Sequence, residues 1–201
     1  MTVTETIATR TPAPAGLVAG TTPYPWPYDA GLARGRIALV VLGWTDAWWR
    51  LCDDPAAVLD SIARLAEVAE CVITVDQPPP ATHGPLSPAP SDGTLPELVG
   101  AQVVRAVGVD GFFGGPLDSV LRAGGRDLLL CVGLGLEAAV HSTMRSANDI
   151  GYECLLVVDA CAPLVPELVP AAISMVEMSG GIFGAVGTTT PVLAALAAAP
   201  S

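Results

Sequence analysis

The sequence contains no lysine: all nine of its basic residues are arginines, and they face 20 acidic residues. No side chain therefore carries an ammonium group. The resulting net charge of −11 argues against binding to nucleic acid or to an anionic membrane, because both require a basic face. We interpret the acidity as a contribution to solubility.

Charged residues are scarce as well, at 14% of the 201 residues, whereas apolar residues make up 51%. No uninterrupted apolar run approaches the roughly 18 residues that a membrane span requires. Residues 1–20 lack the basic region followed by an apolar stretch that marks a secretion signal. We therefore expect a cytoplasmic protein with a flexible tail at residues 1–22 and a single domain at residues 23–201.

The five cysteines include no CxxC pair, and the two histidines, His83 and His141, are far apart in the sequence. The sequence thus predicts reduced thiols, no metal site and no cofactor. Cys71, Cys131 and Cys154 lie in apolar, strand-like runs, where a free cysteine usually behaves as a small core residue.

Apolar runs typical of buried strands alternate with apolar residues at helical spacing. The runs predict strands at residues 37–42, 71–75, 127–132 and 153–158, and a short strand after the turn at 180–184. Helices are predicted from Pro55 to Val68 and at residues 117–121, 137–149 and 170–178, while residues 103–109 are ambiguous. Residues 77–95, rich in Pro, Gly and Ser, predict a long surface loop.

This order predicts an α/β protein: a three-layer α-β-α sandwich with a mostly parallel central sheet. In such sheets, binding and catalytic sites form at the carboxyl ends of the strands. The loops after Leu42, Val75 and Val132 are therefore the places where we expect functional residues.

Three segments resemble the isochorismatase-like cysteine hydrolases, in the same order and spacing. The longest is LLLCVGLGLEAAVHSTMRSANDIGYECLLVVDACA at residues 128–162, which resembles the family's nucleophile segment. TPYPWPYDAGLARGRIALVVL at 22–42 and GGIFGAV at 180–186 are similar to the branch that hydrolyses biuret, ureidoacrylate and related carbamoyl compounds. The resemblance covers residues 23–195, although residues 77–98 match poorly and look shortened.

The resemblance implies a cysteine nucleophile, an aspartate base and a lysine. In this chemistry the thiolate attacks an amide-type carbonyl, and water then cleaves the acyl-enzyme. The aspartate takes the thiol proton, and the lysine favours the thiolate. Backbone N–H groups at the start of the nucleophile helix hold the oxyanion.

All three of these residues are replaced in this sequence. The aspartate position, directly after the first strand, is Gly43. The cysteine position, just before Val140 of the Val-x-x-Thr-x-Arg motif, is Ala139. The lysine position, a few residues before Gly111-Phe112, corresponds to Ala106 within a few residues. Loss of one triad member costs several orders of magnitude in rate, so we predict a degenerate member of the family without cysteine-hydrolase activity.

Other residues are weaker candidates for chemistry. Cys131 is expected in the core, Cys161 in a structural role, and Cys52, near the first helix, lacks a histidine or lysine beside it. His141, two residues after Ala139 on the predicted helix, is expected to face a neighbouring element rather than the site.

Replacement of Asp, Lys and Cys by small residues predicts a larger, less charged pocket that could hold a small amide-like ligand. Its candidate lining residues are Trp44, Asp46, Asp110, Phe113 and Glu137. Asp76 is a further candidate carboxylate, although solvent-exposed or helix-capping roles remain the simpler reading of these acids. The cluster Trp44, Trp48 and Trp49 could fill the site or pack against a partner subunit.

Three functions remain open at this point. The first is a non-catalytic subunit, structural or regulatory, in a homo-oligomer or in a hetero-oligomer with an active paralogous hydrolase. The second is a protein that binds a small amide-like ligand, and the third is a C–N hydrolase that uses other residues, such as Asp46 or Asp110. Neither nucleic acid nor membrane is an expected partner.

Overall fold

The computed structural model describes residues 16–79 and 95–200, and its centre is a six-stranded sheet in which every adjacent pair of strands is parallel. The strands follow the spatial order β3-β2-β1-β4-β5-β6. Their bounds are Ile37–Leu42 (β1), Val72–Asp76 (β2), Gln102–Arg105 (β3), Leu128–Leu134 (β4), Glu153–Ala162 (β5) and Ala185–Gly187 (β6). The predicted α/β architecture is confirmed, and the ambiguous run at 103–109 contributes the edge strand β3.

Six helices flank the sheet in the described residues: Asp46–Trp49 (α1), Leu59–Val68 (α2), Leu117–Ala123 (α3), His141–Asp149 (α4), Val169–Gly181 (α5) and Thr189–Ala198 (α6). The predicted helix at 137–149 begins instead with a π-helical turn, Leu136–Val140, that leads into α4. The sequence did not predict α6, because its composition is apolar on every side and gives no helical periodicity. None of the helices in the described residues is long and apolar enough to cross a membrane.

Alternating strand residues supply two cores, one on each face of the sheet. All six residues of β1 are buried, because β1 lies between β2 and β4 with helices on both faces. Leu39 and Val41 point into the core shared with α2 and α6, whereas Val40 and Leu42 point into the core shared with α3, α4 and α5. The helices on the two faces and the sheet between them form the three layers that the sequence predicted.

Part of the segment assigned to the N-terminal tail is packed against the domain. Val18 is buried and pairs with Trp26, and Thr22 pairs with Val186 of β6. Residues 16–22 are therefore held by backbone hydrogen bonds, and residues 1–15 lie outside the described part of the chain.

Candidate functional site

The three positions that match the family's triad lie at the carboxyl edge of the sheet. Gly43 follows β1, Ala106 follows β3, and Ala139 is in the π-helical turn after β4. All three are buried, with Ala139 fully enclosed and Ala106 7% exposed. The expected enlargement of a pocket therefore does not occur at these positions.

A buried glutamine connects these strand ends. Gln77 follows β2, and its Oε1 accepts a hydrogen bond from the Gly43 N–H at 2.8 Å. Its Nε2 donates to Thr143 Oγ1 at 3.2 Å and to the carbonyl of Val109. The amide thus binds β1, α4 and the loop after β3 together. In the sequence, Gln77 is only the start of a predicted loop, although its place directly after a buried strand is a signal for a functional position.

Thr143, the threonine of the family-like motif, completes this network. Its hydroxyl donates to the carbonyl of Ala139 at 2.7 Å and accepts from the Gly111 N–H at 2.9 Å. A Cβ at Gly111 would lie 3.2 Å from the threonine side chain, so the loop approaches α4 closely. The hydroxyl therefore holds the loop after β3 against the turn that contains Ala139.

Trp48 fills the space beside the network. The side chain is fully buried, and its Nε1–H donates to the carbonyl of Gln77 at 2.9 Å. Its ring lies so close to Gly135 that a Cβ there would clash, and Gly43 is packed against the other side of the indole. Of the two roles considered for the tryptophan cluster, the burial of Trp48 fits the first, because its indole packs inside the chain beside Gly43 and Gly135.

The backbone at Gly43 does not accommodate a carboxylate side chain. Its φ of +61° is a left-handed conformation that L-residues rarely adopt. A Cβ at this position would lie 2.6 Å from the carbonyl oxygen of Leu134 and 3.2 Å from Trp48 Cγ. Restoring an aspartate would therefore require movement of the backbone as well as of the tryptophan.

The backbone N–H groups around Ala139 donate hydrogen bonds to other groups of the same chain. The N–H groups of Ala138 and Val140 both donate to the carbonyl of Gly135, at 3.0 and 3.2 Å. The Gly135 N–H in turn lies 2.9 Å from the carbonyl of Ala162 and 3.1 Å from Cys52 Sγ. These three N–H groups are therefore not aimed at a position where an oxyanion would sit.

Two of the native cysteines, Cys52 and Cys161, are not activated as nucleophiles. Burial raises the pKa of Cys52 to about 12, and the nearby carboxylates Glu137 and Asp53 act in the same direction. Burial likewise raises the pKa of Cys161. Both thiols are therefore protonated at neutral pH, whereas a nucleophilic cysteine requires the thiolate.

Two of the proposed carboxylates are engaged by their own chain. Glu137 accepts hydrogen bonds from the N–H groups of Leu164 and Val165, both at 2.9 Å, and so holds the segment that follows β5. Asp76, at the end of β2, pairs with Arg105 at 3.0 Å across the β2–β3 edge. Both therefore have structural partners.

Asp110 lies near this network, but its carboxylate accepts separate hydrogen bonds from its own loop and from α4. Its Oδ1 accepts from the Phe112 N–H at 2.9 Å, and its Oδ2 accepts from the Ser146 hydroxyl at 2.7 Å. Phe113, in the same loop, is 63% exposed, and Asp46 is exposed in the first turn of α1. Of the five proposed lining residues, Trp44 alone lines either of the two cavities described next, which are formed by residues 16–79 and 95–200.

Trp44 lines a separate cavity of about 290 Å³ beside β2 and β3. Its Nε1–H donates to the carbonyl of Pro96 at 3.3 Å, and Thr74 and Glu97 contribute polar groups to the wall. A larger groove of about 700 Å³ lies between residues 16–20 and α6, away from the triad positions.

His141 faces away from the site, as its helical position predicted. The ring is buried and packs edge-on against Phe183, with 5.4 Å between the ring centroids. Burial and the charge of Arg145 lower the pKa of His141. The histidine therefore belongs to the core between α4 and the start of β6. The other histidine, His83, lies outside the described residues.

Solved structures with this arrangement of strands and helices include three relatives of low sequence identity. A cysteine hydrolase from Pseudomonas syringae pv. phaseolicola 1448A superimposes with a TM-score of 0.66 at 18% identity, over 83% of this chain and 94% of the other. An isochorismatase family protein from Burkholderia thailandensis gives 0.63 at 25% identity, over 81% and 96%. N-carbamoylsarcosine amidase from Thermoplasma acidophilum gives 0.58 at 21% identity, over 77% and 97%.

The sequence itself carries the family assignment. The model of the isochorismatase domain family matches residues 38–190, about three quarters of the chain. This range begins at the second residue of β1 and ends in α6, so it includes β2 to β6, nearly all of β1 and the three predicted triad positions. The chain belongs to the isochorismatase family.

Proposed function

We propose that this protein is a catalytically inactive member of the isochorismatase family and serves as a non-catalytic subunit, structural or regulatory, of an amidohydrolase-type assembly. The proposal includes membership of the branch that hydrolyses biuret and ureidoacrylate, which the segments at 22–42 and 180–186 resemble. A cytoplasmic location and an active paralogous hydrolase as partner belong to the same proposal.

The arrangement at Gly43 is the observation that carries the proposed inactivity. The backbone there is left-handed and closed by Leu134, and the neighbouring space contains the Trp48 indole and the Gln77 amide. The base position is therefore occupied by packing, and Ala139 offers no nucleophilic atom. Removal of a triad member alone lowers the rate by several orders of magnitude.

An ammonia-release assay tests the inactivity. The purified chain is incubated with biuret, ureidoacrylate and N-carbamoylsarcosine, with the T. acidophilum N-carbamoylsarcosine amidase as the positive control. We expect no release above the uncatalysed rate. Release that saturates with substrate and is proportional to this chain would contradict the proposal. Persistence of that release after replacement of Asp110 by Asn would exclude Asp110 as its source.

A tagged pull-down from the native host tests the subunit role. The eluate is analysed by mass spectrometry and assayed for amidase activity. We expect an active isochorismatase-like or amidase partner in a fixed ratio, and we expect its activity to change when this chain is removed. Elution of the chain without a hydrolase would contradict a role in a mixed assembly.

The cavity at Trp44 favours a second candidate, the binding of a small amide-like ligand. Its volume of about 290 Å³ approaches the lower end of the range for small-molecule sites, and its lining residues include Trp44, Thr74 and Glu97. Biuret at millimolar concentration is expected to raise the Tm of the wild-type chain and not that of Trp44→Ala. Equal Tm values with and without biuret would remove this candidate.

A further inference from the structure

The groove between α6 and the N-terminal part of the domain has the dimensions of a small-molecule site. Its volume is about 700 Å³, and ligand pockets usually occupy about 300–1,000 Å³. Leu32 and residues of the segment 16–20 form one wall, and one side of α6 forms the other. We call this feature the α6 groove. It shares no lining residue with the cavity at Trp44.

The wall opposite α6 is fixed by backbone hydrogen bonds. The Val18 N–H donates to the carbonyl of Trp26 at 2.7 Å, and the Leu32 N–H donates to the carbonyl of Gly16 at 3.2 Å. Val18 and Trp26 are also buried. The groove is therefore preformed, as small-molecule sites usually are.

The side of α6 that lines the groove is apolar and carries small side chains. Residues at intervals of three or four positions lie on one face of the helix, here Pro191, Ala194, Ala195 and Ala198. From Thr190 to Ala198 the helix rises about 12 Å along its axis. Among the described residues, those that line the two walls include no aromatic and no charged side chain. The groove therefore fits a narrow aliphatic chain.

One end of the α6 groove is polar and lies beside a carboxylate. Thr188 and Thr190, both exposed, line the groove at the start of α6. Between them, the N–H and the hydroxyl of Thr189 donate to Asp159 Oδ1 at 2.8 and 2.9 Å. Asp159 is exposed and takes part in none of the ion pairs formed by residues 16–79 and 95–200. A cation at this end would therefore meet a carboxylate that is held in place and not neutralised.

We propose that the α6 groove binds a linear alkylamine, with the aliphatic chain along α6 and the protonated amine beside Asp159 and Thr188. The net charge of −11 also favours a cationic head group over a carboxylate. A fatty carboxylate in the reverse orientation is the alternative, because the Pro200 carbonyl at the other end of the groove accepts a hydrogen bond from the Arg34 N–H. The site is independent of the subunit role and of the inactivity proposed above.

Calorimetric titration of the purified full chain tests the ligand class, with decylamine, decanol and decanoate below their micelle-forming concentrations. We expect one decylamine per chain, bound about threefold more tightly than decanol, which corresponds to the strength of an exposed ion pair. Decanoate should bind most weakly of the three. Each methylene added from hexylamine to decylamine should lower the Kd about two- to fourfold, because it buries further apolar surface.

Matched substitutions on α6 test the location. Ala194→Trp places an indole in the groove and should raise the decylamine Kd about tenfold or more, because the ring takes the volume that the ligand requires. Ala197→Trp is the control, since Ala197 is exposed on the same helix and does not line the groove, and it should leave the Kd unchanged. Circular dichroism verifies that both variants are folded.

A charge substitution tests the position of the amine. Asp159→Asn keeps an acceptor for Thr189 and should abolish the preference for decylamine over decanol. Asp149→Asn, at an exposed position in the last turn of α4, changes the net charge equally and should keep that preference.

Absence of saturable decylamine binding, or equal effects of the two tryptophan variants, would overturn the site. Tighter binding of decanoate than of decylamine would overturn the ligand class, and a preference for decylamine that persists in Asp159→Asn would overturn the placement of the amine. None of these results depends on amide hydrolysis, so they are distinguishable from failure of the proposed inactivity.

Discussion

Two regions at the carboxyl edge of the sheet differ in how many features of the isochorismatase family they share. The segment from β4 to β5 keeps the strand, turn, helix and strand of the nucleophile segment, together with the motif residues Val140, Thr143 and Arg145. The region around Gly43, the position that we propose has lost the catalytic aspartate, contains the closely packed groups of Trp48 and Leu134. Many apolar positions distributed along a chain specify the fold, whereas only three side chains supply the family's chemistry. A chain can therefore lose the catalytic side chains and still keep the fold.

Thr143 shows how the two regions are joined. In the retained segment it keeps its place on α4, and its hydroxyl binds Gln77 and Gly111 from the altered region. The network is fully buried, and every polar group that we describe in it has a partner. Stability at this edge should therefore depend on the buried side chains of Gln77, Thr143 and Trp48.

Replacement of Trp48 by Ala should have the largest effect. The change removes a fully buried indole and its hydrogen bond to Gln77, and the free energy of unfolding should fall by about 4 kcal/mol. Urea denaturation measures the change. Trp44→Ala is the control, because Trp44 is only partly buried, and a loss as large as that of Trp48→Ala would contradict the role assigned to Trp48.

Gly43→Asp should be the next most harmful change. The left-handed backbone and the approach to Leu134 together should cost about 3 kcal/mol of unfolding free energy. Gly100→Asp provides the comparison, since Gly100 also has a positive φ but has open space where a Cβ would lie. Similar losses at both positions would show that crowding at Gly43 contributes nothing.

Gln77→Ala should lower the free energy of unfolding by about 2 kcal/mol. The change leaves the Gly43 N–H without its buried acceptor, and buried unsatisfied groups cost about 1–3 kcal/mol. Gln102→Ala, at an exposed position of β3, should have almost no effect. Equal stability of the two variants would contradict the conclusion that Gln77 connects the strand ends.

A pH change should produce the smallest effect, through His141. Its pKa in the folded state is below the ordinary value because of burial and of Arg145, whereas the unfolded chain has the ordinary value near 6.5. As the pH falls below about 6.5, the unfolded state binds a proton that the folded state resists, so stability decreases. Urea denaturation at pH 7.5 and 5.5 should show a larger decrease for the wild type than for His141→Gln.

The sequence predicted the sheet better than it predicted the packing at its carboxyl edge. Apolar runs of strand length revealed β1, β4 and β5, because a strand buried on both faces has no polar alternation. The assignment of Gly43 and Ala139 to triad positions depends on motif spacing and stays a prediction. The roles of Gln77 and Trp48 depend on contacts between distant segments, which periodicity does not report, and the enlarged pocket was inferred from residue sizes without these fillers.

Our central claim is that the nucleophile position has become part of the core, and thiol accessibility tests it most directly. The Ala139→Cys variant is prepared in a Cys71→Ser background, since Cys71 is the native thiol that is only partly buried. Under native conditions, the variant should react with a chromogenic disulfide reagent no faster than the background protein does. After denaturation in guanidinium, the variant should show one more reactive thiol than the background protein. Rapid native labelling of the added thiol would show an open site and contradict the account.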